Sequence, residues 1–170
     1  MALIPQDATS PVNNANSYLS LVDARALAAQ YAITLPTDDT EAETSLINGF
    51  AYIEAREPDM CGTRATDTQN TSYPREGVYI RCVLQPSSPF PNELLLSQII
   101  AAESFGQGNN LWGGADNGRA VSKEKVDVLE VAYFDNGTTG DALTLPRFEN
   151  TIQPLLCGST SANQFKVFRG

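Results

Sequence analysis

Apolar positions recur at helical spacing along several stretches of the chain, and residues 90–105, FPNELLLSQIIAAESF, are the densest of these. There Leu94, Leu95, Leu96, Ile99, Ile100, Ala102 and Phe105 cover most of the circumference of a helix, leaving Glu93, Ser97 and Ser104 on one narrow stripe. Pro91 suits the first turn, where its missing N–H costs nothing, and Glu93 sets an anion near the positive end of the dipole. A helix so apolar must be central, with other elements packed around it.

The other periodic segments are shorter. Ser20 and Asp23 form an acidic capping box ahead of Leu21, Ala24, Leu27, Ala28 and Tyr31, which predicts a first helix over residues 21–32. Pro36 closes the connection, and Asp38, Asp39, Glu41 and Glu43 complement the dipole of a second helix whose apolar face carries Leu46, Ile47, Phe50, Ala51 and Ile53 as far as Arg56. Thr144 and Pro146 open a last helix bearing Phe148, Ile152, Leu155 and Leu156, with Pro154 as a kink and Gly158 past its end.

Between these helices the pattern changes. Residues 57–88 hold Gly62, Pro74, Gly77 and Pro86 among runs of Thr, Asn and Ser, a long aperiodic stretch of the kind that tends to form functional surface. Within it residues 79–84 are β-branched and aromatic enough for a strand or an extended docking segment. Residues 121–134, VSKEKVDVLEVAYF, give the strongest strand signal, with Asn136-Gly137 as its turn. Glycines at 106, 108, 113, 114 and 118 follow a helix rather than a strand, which argues against a phosphate loop, and Trp112 among them is expected to cover one end of the core. Residues 1–16 lack period and are expected to form an extended arm. At the far end residues 164–169, QFKVFR, form a strand with no evident partner.

The fold expected is therefore mainly α with a small β component, a bundle of about four helices with a β strand or hairpin insertion and extended terminal arms. As domains this gives an N-terminal arm over residues 1–16, a helical body over 17–158 with a β segment at about 121–145, and a C-terminal tail strand over 159–170.

Composition narrows the function. With 20 acidic against 11 basic side chains, the net charge of −9 opposes binding to a polyanion, whose affinity comes mostly from Lys and Arg displacing counterions. The absence of histidine removes the usual general base and the commonest metal ligand, so no enzyme, cofactor or metal is expected. Cys61, Cys82 and Cys157, an odd number at unpatterned spacing, are expected to be reduced thiols rather than a disulfide framework or a zinc site. No secretory leader or membrane-spanning run is read in the chain, which is expected to be made in the cytoplasm and to need no membrane.

The segments NSYLSLVDARALAAQYAI, YPREGV, ELLLSQIIAAES, KVDVLEVAYFDN, PLLCG and KVFRG together resemble the phage proteins of the DnaT-like single-stranded-DNA-binding group. That group is similar to head-completion adaptors, the small helical connector proteins that dock under the portal of tailed phages. Tyr73 departs from the Trp expected before Pro-Arg, and Asp127 from a usual Gly. The resemblance implies a virion protein of the neck with the portal protein and a tail, nozzle or tail-terminator component as partners. It also implies a homo-oligomeric, dodecameric ring through which double-stranded DNA passes without specific binding. The alternative it implies is a DnaT-like single-stranded-DNA-binding protein, which would want a basic groove lined with exposed aromatics. The acidic charge chooses the adaptor. The expected portal or subunit interface comprises Phe165, Lys166, Val167, Phe168 and Arg169 of the tail, adding by strand augmentation, with Tyr73, Pro74, Arg75 and Tyr79 of the long loop.

Overall fold

A computed structural model of the chain describes residues 2–109, 112, 123–126, 129–132 and 145–157. It divides into one unit of Met1–Asn109 with Leu145–Gly170 and a second of Asn110–Thr144. The first unit contains four α-helices among the described residues: α1 (Leu21–Gln30), α2 (Asp39–Glu54), α3 (Asn92–Gly106) and α4 (Pro146–Ile152). The fold is mainly α with a small β component, as the periodicity predicts.

Local chemistry sets the helix ends. The Ser20 hydroxyl accepts from the Asp23 N–H at 3.2 Å and donates to the Asp23 carboxylate at 2.6 Å, so the acidic capping box forms and α1 starts where expected. Its chain leaves through Ala32 at φ 52°, a left-handed position usually given to glycine, two residues short of the helix the spacing predicts. Asp38 caps α2 by accepting from the Glu41 N–H at 3.0 Å, and Asp39 and Glu41 fill its first turn. Pro91 lies one position earlier than expected, at the N-cap of α3.

The core lies where α3 meets α2. From α2 it takes Ala42, Leu46, Phe50 and Ile53, from α3 Leu94, Ile99, Ile100, Ala101 and Ala102, and from α4 Phe148 and Ile152. Burying each of the larger side chains is worth about 1.5–3 kcal/mol. Gly49 sets the approach of the two long helices: a Cβ there would stand 2.6 Å from the Gln98 carbonyl and 3.0 Å from the Ala102 nitrogen. The narrow stripe on α3 is not a solvent face, because Ser97 and Ser104 are buried. Ser97 is small enough to fit there because its hydroxyl donates back to the Glu93 carbonyl at 2.7 Å.

The β structure differs from the expectation in form. Residues 79–84 are not one strand but a tight hairpin, β3 (Tyr79–Ile80) with β4 (Val83–Leu84), while β1 (Thr63–Arg64) pairs antiparallel with β2 (Arg75–Glu76) across the long loop. In the second unit β5 (Lys123–Val126) pairs antiparallel with β6 (Leu129–Ala132), so the run read as a single strand turns back between Val126 and Leu129, while the turn expected at Asn136-Gly137 lies outside the described residues. Trp112, expected to cover the core, is exposed.

The N-terminal stretch read as an arm is tied down: Gln6 N–H donates to the Ser17 carbonyl at 2.7 Å, and the Gln6 amide donates to the Thr71 hydroxyl at 2.6 Å. Cysteine pairing also corrects the expectation. Cys61 and Cys157 form a disulfide across a sequence separation of 96, held in place by the Met60↔Leu156 antiparallel bridge and by Cys157 N–H donating to the Asp59 carbonyl at 2.7 Å. Sequence spacing carried no sign of that bridge, which is a tertiary contact between the loop after α2 and the end of the short 3₁₀ turn Gln153–Leu155.

Candidate docking surface

The long loop is built on one cation. Arg75 is 7% exposed, and its guanidinium donates to the carbonyls of Cys61 at 2.7 Å, Gly62 at 2.7 Å, Met60 at 3.3 Å and Ser72 at 3.3 Å, with the Glu57 carboxylate 3.6 Å away. A planar fork with five donors can satisfy several loop carbonyls at once, which no apolar side chain could do. Gln69 adds to this frame by donating from its amide to the Thr71 and Pro74 carbonyls, both at 2.9 Å. Glu57 then takes a bidentate contact from Arg64 at 2.6 Å to each oxygen. That contact holds the Glu57 carboxyl below its ordinary range and raises Arg64.

A second polar cluster joins the loop to the first residues of the body. Tyr18 Oη donates to Glu54, Ser72 Oγ donates to the same carboxylate oxygen at 2.7 Å, and Ser72 N–H donates to its other oxygen at 2.8 Å. Burial, and next the charge of Glu54, push the Tyr18 phenol well above its usual value. Gln98 of α3, fully buried, accepts from the Tyr18 N–H at 2.9 Å and donates to Ser17 Oγ at 2.8 Å and to the Leu46 carbonyl at 3.0 Å. Periodicity does not single out Gln98. A glutamine on an otherwise apolar helix face was the available signal.

This frame decides the standing of the loop residues read as interface. Tyr73, Pro74 and Arg75 are interior, so in this fold they hold the loop and do not face a partner. Their polarity misled: a Tyr-Pro-Arg in a long loop reads as surface, whereas here the arginine is the loop's internal scaffold. Tyr79 alone of that group is exposed, at 59%. It shares the β3–β4 hairpin with Val83 and Leu84, also exposed, while Val78 and Ile80 turn into the body. Phe165, Lys166, Val167, Phe168 and Arg169 lie outside the described residues.

Electrostatics complete the surface. Arg25 contacts Asp39 at 2.7 Å, Arg56 pairs with Glu149, Arg64 with Glu57, and Arg147 lies 3.8 Å from Glu103. With Arg75 buried, Arg81 at the hairpin tip is the one described arginine not engaged by a carboxylate or a carbonyl. Among the described residues no cluster of His, Cys, Asp or Glu could hold a metal, and no helix is long and apolar enough to cross a membrane.

The described residues thus form a small helical body with an exposed apolar hairpin, and five of its six described arginines are already paired, Arg81 being the exception. The chain belongs to the family described as "Putative DnaT-like ssDNA binding protein", whose model matches residues 1–170. Searches of the curated proteins and of the solved structures found no match.

Proposed function

We propose that this chain is a structural adaptor of a tailed-phage neck, forming a ring beneath the portal and joining it to a tail component while double-stranded DNA passes through. The observation that carries this reading is the commitment of the body's cations. Of the six described arginines, Arg25, Arg56, Arg64, Arg75 and Arg147 are each paired with a carboxylate within the fold, leaving Arg81 alone, in a chain of net charge −9. Nucleic-acid affinity comes chiefly from free cations that displace phosphate counterions, so this surface is built to let DNA slide rather than to hold it. The resemblance of this group to head-completion adaptors supports the same reading, and no catalytic role is part of it.

Single-stranded-DNA binding is the second reading, favoured by the description of the family. It would rest on Arg119, Lys123, Lys125, Lys166 and Arg169, whose side chains lie outside those described. Fluorescence anisotropy with a labelled oligonucleotide separates the two. The adaptor reading expects an affinity no tighter than about 10⁻⁴ M at physiological salt, together with capture of the protein by the phage's purified portal ring. Micromolar, steeply salt-dependent binding without portal capture replaces it with the second reading.

A further inference from the structure

The β3–β4 hairpin is an unusual surface. Tyr79, Val83 and Leu84 are 59%, 62% and 55% exposed, with Tyr79 and Leu84 paired across the two strands on one face. Ile80 and Val83 flank the turn and Gln85 N–H donates to the Val78 carbonyl at 2.8 Å, so the Tyr79↔Leu84 pair is the non-hydrogen-bonded one and directs its main-chain groups outward. No partner for those groups occurs among the described residues. At the tip Arg81 and Cys82 sit at φ 51° and 65°, left-handed conformations that strain non-glycine residues. Asn-Gly would relieve that strain. The tip instead presents a free cation and an exposed thiol.

A complementary surface lies elsewhere on the same body. Between the start of α2 and the end of α3 is a notch of about 310 Å³, lined by Pro36, Thr40, Glu41, Thr44, Phe105 and Gly106. Glu41 is the carboxylate in its lining, and it is exposed. Gly106 keeps the notch open, since a Cβ there would lie 2.9 Å from Pro36 Cγ. The two surfaces are well separated. The chain from α4 to the 3₁₀ turn runs from Arg147 beside Glu103, at the C-terminal end of α3, to residues that pack against β3.

We propose that the hairpin of one copy docks into the α2–α3 notch of the next, with Arg81 against the Glu41 carboxylate and Tyr79 and Leu84 against Phe105 and Pro36. A second copy is the occupant because hairpin and notch belong to one chain and carry opposite charge. Their different positions make the contact heterologous, the type that repeats head to tail and closes into a ring. The ring itself is taken from the adaptor reading; the contact specifies which residues would make it.

The free thiol of Cys82 supplies the test. In the full-length Thr40→Cys variant, mild oxidation with diamide should produce a ladder of disulfide-linked dimers, trimers and higher species on non-reducing gels. Wild-type protein should give dimers at most. Adding Arg81→Glu should reduce the ladder about tenfold through like-charge repulsion, and adding Glu41→Arg to that variant should restore it. Absence of species beyond the dimer, or a ladder indifferent to Arg81→Glu, overturns the proposal. Portal capture measured on the same samples separates the two readings. Capture without a ladder removes this interface and leaves the adaptor role, whereas a ladder without capture upholds the interface and removes that role.

Discussion

The α2–α3 interface is packed from apolar and small side chains such as Ala42, Leu46, Ile99 and Ala102, whereas the loop that follows α2 is packed around Arg75, Gln69 and Thr71. In the first region shape decides the structure, and each contact is weak and replaceable. In the second, a few side-chain to main-chain hydrogen bonds each satisfy groups that would otherwise be buried without partners. Damage should therefore be graded across α2–α3 and abrupt in the loop.

The sharpest break is expected at Arg75. Arg75→Met keeps the stem of the side chain but strands the carbonyls of Cys61, Gly62, Met60 and Ser72, and it leaves Glu57 one cation fewer. The cost should be about 4 kcal/mol, near that of breaking a buried ion pair, or roughly 10 °C in Tm for a chain of this size. A Tm within about 3 °C of wild type would mean that the loop does not depend on its guanidinium.

The disulfide comes next. Cys61→Ser with Cys157→Ser, or reduction of the wild type, should cost about 3 kcal/mol by releasing a long loop in the unfolded chain. Chemical denaturation with and without reductant measures it. No change in midpoint would show that the Met60↔Leu156 bridge and its hydrogen bonds hold that region unaided.

In the helix pair the matching test is Gly49→Ala. The added methyl meets the Gln98 carbonyl and the Ala102 nitrogen, both backbone atoms that cannot swing aside. Overpacking of about 1–3 kcal/mol should exceed the roughly 1 kcal/mol that alanine gains in helix propensity. Net destabilisation near 1 kcal/mol, with helical CD retained, is the expected outcome; a stabilised variant would mean that the helices separate freely.

The same contrast explains what could be read from sequence. All four helices were legible because an apolar period and start signals such as the Ser20–Asp23 box of α1, the acidic first turn of α2, and Pro91 and Pro146 at the starts of α3 and α4 are local. Arg75 was legible only as a charged loop residue, since its role depends on carbonyls up to 15 positions away in the chain. The hairpin turn was hidden for a different reason. Arg81-Cys82 occupies left-handed positions without the Asn or Gly that would have announced them. Of the candidate surface, Tyr79 was found; Val83, Leu84 and Arg81 required the turn to be seen first, and the α2–α3 notch required the helices to be docked.

Tyr73 gives the smallest expected effect at neutral pH and sharpens the comparison at high pH. Its hydroxyl is buried with no hydrogen-bond partner among the described residues, so in this polar loop it behaves like a residue of the apolar core. Tyr73→Phe should leave stability at pH 7 unchanged or raise it, within about 1 kcal/mol. Burial pushes the phenol up to about 12 in the folded chain against 10.0 for the ordinary group. Below pH 10 both folded and unfolded forms keep the proton, and the stabilisation is whole. Above it the unfolded chain ionises first and binds fewer protons, so stability falls as pH rises through the folded value, by at most about 1.4 kcal/mol per pH unit. Denaturant melts at pH 7, 10 and 11.5 should thus show a shallower alkaline loss in Tyr73→Phe than in wild type, the remainder coming from Tyr18, whose phenol is also raised. A variant that loses more than about 1 kcal/mol at pH 7, or that follows the wild-type curve above pH 10, would place a partner at the hydroxyl and return Tyr73 to the hydrogen-bonded frame.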